Sequence, residues 1–298
     1  MKEDYRQLLK PEIINSISGL SLISRLVVDG HLSGHHHSRR LGSGMEFSQY
    51  RGYEVGDDLR LLDWKMLARS GRYYIKQSEV ETHISVKFVL DASQSMQHEE
   101  QGLSKIDFAR VMIASLAWLA HSQGDAVGLY ALNNYKLRSI QPKVQKKHFN
   151  RFLQELINIQ TEGKWPANFK DIEKIHNRNH KELIFFITDL HEETEELSSV
   201  ITKLKTSKNE VVVLHILGKN ELDFDYEGAL IFEDLESGVT MEIEAEKART
   251  SYLKTMTKAV DLMKQHLLNN AIHYQLINLS DPLEKPLQML LKTRQKLI

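Results

Sequence analysis

The chain has 298 residues, a formal net charge of -1 with 27% charged residues, and no cysteine. Balanced charge gives no global case for binding nucleic acid or an anionic membrane, and the lack of thiols excludes disulfides, thiolate-held iron–sulfur clusters and thiolate zinc sites. No apolar run approaches the roughly 20 residues that span a bilayer, and the start Met-Lys-Glu-Asp-Tyr-Arg has no apolar signal segment, so the sequence predicts a cytoplasmic protein.

Such a length accommodates one domain of about 200–250 residues with an extension, or two domains. Only five prolines interrupt the chain, and the pattern changes near residue 82. The expected division is an N-terminal segment, 1–82, and a sheet domain, 83–298. Residues 11–28 read as a short helical stretch, and 30–44, rich in Gly, His, Ser and Arg, as a loop. Residues 56–76 hold a helical turn, a glycine stop and a strand. This block is too polar for a core of its own and is expected to pack on the sheet domain.

From residue 84 strands and helices alternate. Strand 84–90 leads to helix 104–121, where Ser104 and Asp107 resemble a capping box and apolar residues leave little polar face. Strands 125–132 and 135–141 are expected to form a hairpin across Asn133-Asn134, because Asn tolerates positive φ. Helix 145–159 and a shorter helix near 168–177 precede strand 182–188, whose unbroken apolar run calls for helices on both faces. Helix 192–206, strand 210–217, a hairpin over 229–244 turning at Ser237-Gly238, helix 246–268, strand 272–278 and helix 283–296 complete the pattern. The order predicts an α/β fold: a doubly wound, mostly parallel sheet with one antiparallel edge strand.

In such sheets ligands bind beyond the carboxyl ends of the strands, where strand order reverses. Strands 84–90 and 182–188 are the most continuously apolar, hence the expected central neighbours, and each runs into an aspartate, Asp91 and Asp189. Asp91-x-Ser93-x-Ser95 offers oxygen donors only, which suits a hard cation such as Mg²⁺. Ser93 and Ser95 can bind the cation directly, with Asp91 and Asp189 neutralising it directly or through water. The remaining position is open to an acidic side chain from a partner. Alone, Asp91 and Ser93 read as a strand end shaping a turn. Asp189 after a second central strand tips the reading to a metal-site geometry.

Other motifs carry less. His35-His36-His37, with His31 nearby, lack the i, i+4 spacing that aims two rings at one ion, and read as a solvated or partner-facing loop. Gly42-Ser-Gly44 lacks the strand, helix and lysine of a phosphate loop. Arg39, Arg40, Arg51, Arg60, Lys65, Arg69 and Arg72 alternate with Glu46, Glu54, Asp57, Asp58 and Asp63, the pattern of an ion-pair network around Trp64 rather than a nucleic-acid contact. Ser93 and Ser95 lack a nucleophile elbow, and Asp91 lacks the second acid of an Asp-x-Asp phosphatase loop, so a non-enzymatic role is the leading expectation. The alternative is a Mg²⁺-dependent hydrolase or phosphoryl-transfer enzyme in the same crevice, with His98 or His191 as base.

The strand into Asp91-Ala-Ser93-Gln-Ser95-Met96, with Ile187-Thr188-Asp189 later, resembles the metal-ion-dependent adhesion site of von Willebrand factor A domains. Gly34-His-His-His-Ser38-Arg-Arg-Leu-Gly42-Ser-Gly44-Met-Glu46-Phe47, Arg51-Gly-Tyr53, Gly56-Asp57-Asp58-Leu-Arg60, Asp63-Trp64 and Ala68-Arg69 are similar to the signature of the domain-of-unknown-function 58 family. That family couples this segment to a von Willebrand factor A-like domain. Phe232-Glu-Asp-Leu-Glu236 and Asp281-Pro282-Leu283 resemble its later elements. The resemblance implies an interaction module or adaptor partnered with a MoxR-type AAA+ ATPase in assembly or remodelling of protein complexes. Adhesion sites also take a threonine from a third loop, usually after a glycine. Here Thr161-Glu-Gly163-Lys-Trp-Pro-Ala-Asn168 has none after Gly163, leaving Thr161 or Asn168 as substitutes and a weaker metal site.

Overall fold

The computed structural model describes residues 8–34, 47–54, 62–78, 84–166, 175, 181–191 and 196–297. The chain divides into two compact units, Met1–His36 with Ile84–Leu297, and His37–His83 with Ile298. The expected first segment is thereby split. Its opening helices, α1 (Pro11–Ile14) and α2 (Ile17–Gly34), go with the sheet because Ile14, Leu20, Ile23, Val27 and Val28 are buried in the sheet's core.

In the smaller unit, β1 (Phe47–Gly52) pairs antiparallel with β2 (Tyr74–Ser78). Between them lies α3 (Trp64–Ser70), started by Asp63, whose Oδ1 accepts from Lys65 N–H at 2.9 Å and Met66 N–H at 3.1 Å. Gly71 stops it at φ 67, a left-handed cap that favours glycine. The expected helical turn, glycine stop and strand are all present. Trp64 is 64% exposed. Of the proposed ion-pair network around it, Arg39, Arg40, Glu46, Asp57, Asp58 and Arg60 lie outside the described residues, as do His35-His36-His37 and Gly42-Ser-Gly44.

The larger unit is built on β3 (Ser85–Asp91), β6 (Ala126–Leu132), β7 (Leu137–Lys143), β8 (Glu182–Thr188), β9 (Asn209–Leu217) and β12 (His273–Asn278), in the order β12-β9-β8-β3-β6-β7. All neighbours are parallel except β7, antiparallel to β6 at one edge. The mixed α/β architecture with a mostly parallel sheet and an antiparallel edge strand is the one expected. Chain order reverses between β3 and β8, which are direct neighbours.

Alternation along the strands explains the layering. Phe88, Leu90, Phe185, Ile187, Leu214 and Ile216 point into one core, with α2, α4 (Lys105–Ser122), α5 (Lys146–Ile157) and α9 (Glu284–Leu297). Val89, Ile184, Phe186, Val211 and Val213 point into the other, with α6 (Glu196–Leu204) and the end of α8 (Ala245–Asn269). Phe88 stacks on Phe185 across the β3–β8 pair at 5.6 Å and 12°, worth about 0.5–1.5 kcal/mol beyond area burial. That register, ending Leu90↔Ile187, brings Asp91 beside Thr188.

Three local expectations differ from the structure. Ser104 caps α4 by accepting from Asp107 N–H at 3.2 Å, but the Asp107 carboxylate turns to Arg110 at 2.6 Å instead of closing a box. The β6–β7 turn is longer than two residues: the Asn133 amide oxygen accepts from Tyr135 and Lys136 N–H, both at 3.0 Å. The short helix α7 (Lys219–Asp223) was not anticipated. The helix expected near 168–177 lies outside the described residues except Ile175. The expected hairpin is present as β10 (Ala229–Glu233) and β11 (Thr240–Glu244).

Candidate functional site

The chain leaves β3 through Asp91, turns through a short 3-10 helix at Gln94–Gln97, and closes a two-strand clip, β4 (Glu99–Glu100) with β5 (Leu103–Ser104), before α4. Asp91 is 1% exposed. Its Oδ1 accepts from Ser93 N–H at 3.0 Å and its Oδ2 from the Thr188 hydroxyl at 2.7 Å. The Ser93 and Ser95 hydroxyls lie 3.0 Å apart, and Ser95 donates to Asp189 Oδ1 at 3.1 Å. All four anticipated residues therefore converge on one spot beyond the carboxyl ends of β3 and β8.

Asp189 is held from behind. Leu190 adopts φ 51, an uncommon left-handed turn for a leucine, and its N–H donates to Thr188 Oγ1 at 2.9 Å. The Asp189 carbonyl meets His215 Nε2 at 2.9 Å, and His215 Nδ1 meets the Tyr274 hydroxyl at 2.7 Å. Burial holds His215 down to about 4, with Lys105 adding to the effect, so the ring is neutral.

The sequence did not reveal Lys105. The first residue of α4 is 2% exposed, and its Nζ donates to Asp189 Oδ2 at 3.0 Å and to Glu221 Oε1 at 2.7 Å. Burial works against its charge, but Asp189 and Glu221 outweigh burial and raise its pKa. Glu221 in turn accepts from Gly218 N–H at 2.7 Å. Burial likewise pushes Asp189 upward, yet the ammonium of Lys105 brings it below the usual carboxylate range. Asp91 has no such cation among the described residues: burial first, then the Asp189 charge, push it up to about 7, against the Ser93 and Thr188 hydrogen bonds.

The third loop joins through its backbone. Gln94 N–H donates to Gly163 O at 2.8 Å, Glu162 N–H to Ala92 O at 3.0 Å, and the Gln97 amide to Thr161 O at 2.9 Å. Gly163 has φ 62, and a Cβ there would come within 2.1 Å of Asn134 Oδ1, so glycine is strongly favoured at this position. Asn168 lies outside the described residues. A groove of about 450 Å³ beside the cluster is lined by Gln94, Gln97, Tyr135, Thr161, Glu162 and Gly163.

His98 Nε2 is 3.4 Å from Glu100 Oε1 and 3.9 Å from Glu221 Oε2. These acids are already engaged. Glu100 caps α7 through Lys219 and Asn220 N–H at 2.7 and 2.9 Å, and Glu221 holds Lys105. The trio braces α7 against the β4–β5 clip.

The central donor set is all oxygen, the preference of a hard divalent cation. Bonds of about 2.1 Å at right angles put neighbouring ligand oxygens about 3.0 Å apart. The Ser93–Ser95 and Ser95–Asp189 separations, 3.0 and 3.1 Å, match that edge. The Ser93, Ser95 and Asp189 oxygens thus have the spacing of an octahedral edge as well as of a hydrogen bond, with Asp91 adjoining through the Ser93 N–H and Lys105 as a fixed positive charge behind Asp189.

The chain is 22% identical over 244 residues to "Uncharacterized protein Mb1516" of Mycobacterium bovis, covering 80% of this chain and 75% of that one. Among solved structures, it is similar to BatB from Bacteroides thetaiotaomicron at 14% identity and TM-score 0.48, covering 72% of this chain and 99% of that one. An aerotolerance-related membrane protein from Bacteroides fragilis gives 16% and 0.48 over the same shares. In this chain, no helix among the described residues is long and apolar enough to cross a membrane. The sequence profile of the family described as "Protein of unknown function DUF58" matches residues 49–261, most of the chain, and the protein belongs to that family.

Proposed function

We propose that this protein is a non-enzymatic interaction module of the von Willebrand factor A-like type. In this reading Mg²⁺ binds between Asp91, Ser93, Ser95 and Asp189 and accepts an acidic side chain from a protein partner. The observation that carries it is the convergence of these oxygens at the reversal point of the sheet, with an octahedral edge spacing and with Asp91 lacking a cation of its own among the described residues. Neutral Ser oxygens beside two aspartates leave a bound divalent ion electrophilic enough to take another carboxylate. Lys105 supports this arrangement by neutralising the far oxygen of Asp189.

The sequence resemblance implies a MoxR-type AAA+ ATPase as the partner, and in this reading the chain is an adaptor in assembly or remodelling of protein complexes in the cytoplasm. Calorimetric titration of the full chain with Mg²⁺ tests the site: one binding event is expected, lost in Asp91→Ala. A folded Asp91→Ala protein that still binds Mg²⁺ with wild-type affinity sinks the assignment. Recovery of the ATPase on the immobilised chain should fall when Mg²⁺ is chelated, and equal recovery with and without chelator counts against metal-mediated contact.

A further inference from the structure

Glu236 lies in the turn of the β10–β11 hairpin, and its Oε1 is closed off from solvent without a hydrogen-bond partner among the described residues. Its side chain is about half-buried and hydrogen-bonds the Ser95 hydroxyl, with His191 and Lys164 favouring its charge and Asp189 opposing it. The rest of the turn faces outward: Leu235 is 36% exposed and Val239 is 65% exposed. One residue of an otherwise solvated tip is therefore aimed at the Asp91–Asp189 cluster.

The turn is shaped to hold it there. Asp234 Oδ1 accepts from Glu236 N–H at 2.9 Å, Asp234 Oδ2 takes the Ser237 hydroxyl, and Asp234 O accepts from Gly238 N–H at 2.7 Å. Gly238 supplies φ 70. At the hairpin's base Phe232 stacks on Phe224 at 5.9 Å and meets Tyr226 edge-on at 5.2 Å. Phe224 packs on Tyr252 at 4.5 Å, and the Tyr252 hydroxyl donates at 2.9 Å to the carbonyl of Glu221, the residue that grips Lys105. The hairpin is thus fastened to the same framework as the cluster.

His191 and Lys164 act on the carboxylate from a distance, and its closed-off Oε1 still wants a direct partner, which a cation between it and Asp189 would supply. Resting on the cation-site reading above, we infer that Glu236 is itself a ligand of that site, carried in by the hairpin and filling the position that a partner's carboxylate takes. The chain is then self-ligated at rest, and a partner binds by displacing Glu236. The same geometry defines what displaces it: a carboxylate on a segment narrow enough to enter beside Ser95 once the hairpin lifts.

Mn²⁺, which accepts the same oxygen ligands, is the probe, added to full-length wild type, Glu236→Ala, Glu236→Asp and Asp91→Ala, each checked for native circular dichroism. Titration gives affinity, and water-proton relaxation counts the waters on the ion. Glu236→Ala is expected to bind Mn²⁺ about tenfold more weakly, with one more coordinated water, because a charged ligand is gone. Acetate should remove that extra water at lower concentration than it needs in wild type. Glu236→Asp keeps the charge but shortens the reach, so it should show the extra water too. Wild-type affinity and water count in both Glu236 variants, with binding lost in Asp91→Ala, overturn the inference and leave the cation site standing. No Mn²⁺ binding by the wild type overturns both.

Discussion

Strand β3 carries two groups of buried charge, and they are balanced differently. Toward its start, Lys87 Nζ donates to Glu182 Oε1 and to the Ile175 carbonyl, with side chains only 4% and 2% exposed. Close by, Asp125 receives Arg294 through Nε at 2.6 Å and Nη2 at 3.1 Å, and Ile84 N–H at 3.2 Å. Each acid here has its own cation. At the other end, Lys105 is shared by Asp189 and Glu221, while Asp91 adjoins Asp189 and Glu236 lies nearest His191 and Lys164. Burial of charge does not distinguish the two ends, since both are deep. What distinguishes them is surplus: the first group is closed, whereas the second holds more carboxylates than paired cations among the described residues, which is the imbalance the proposed cation would offset.

Four experiments break or sharpen that contrast. The largest effect is expected from Glu182→Ala, which strands Lys87 in the core and should cost about 3–5 kcal/mol in urea unfolding while leaving Mg²⁺ affinity unchanged. A cost under about 1 kcal/mol would mean that the pair is not closed. Lys105→Met should cost about 3 kcal/mol in chelator, the low end of the same range, because Asp189 keeps Ser95 and the His191 N–H. That deficit should shrink when Mg²⁺ is added; a deficit indifferent to Mg²⁺ would place the ion elsewhere. Wild type should gain about 2.7 kcal/mol at a Mg²⁺ concentration one hundred times Kd, read as a rise in Tm, and the Glu182 variant should gain as much. Asp91→Asn should lose that gain, yet lie within about 1 kcal/mol of wild type in chelator, because the amide keeps an acceptor and removes an uncompensated charge.

The framework of the site was legible because it depends on long apolar runs. Unbroken hydrophobic stretches at β3 and β8 marked both as central, and their neighbouring aspartates followed from topology. Lys105 was hidden because the first residue of a helix is ordinarily solvated; only the fold brings Asp189 and Glu221 to it. Thr188 stood in view beside Asp189, but its role needs the β3–β8 register. Glu236 could not be placed at all, since its turn residues announced a hairpin without saying where the tip would land. The apolar face read on helix 246–268 is only partly used: Leu267 is buried, whereas Tyr252, Leu253, Met256, Val260 and Met263 are half-covered and Ala259 is exposed. Periodicity reports which residues share a face, but coverage of that face depends on partners distant in sequence.

The β10–β11 hairpin is a two-stranded sheet of its own, and among the described residues it shares no ladder with the six-stranded sheet. Lifting it breaks aromatic contacts at its base but no strand pairing of the core. Its motion therefore has a clock separate from global unfolding, in the microsecond-to-millisecond range typical of hinged elements, and its amides should exchange with deuterium well before those of β8 and β9. In the site proposed above, the hinge would set how often a newcomer is admitted, and the metal how long it stays.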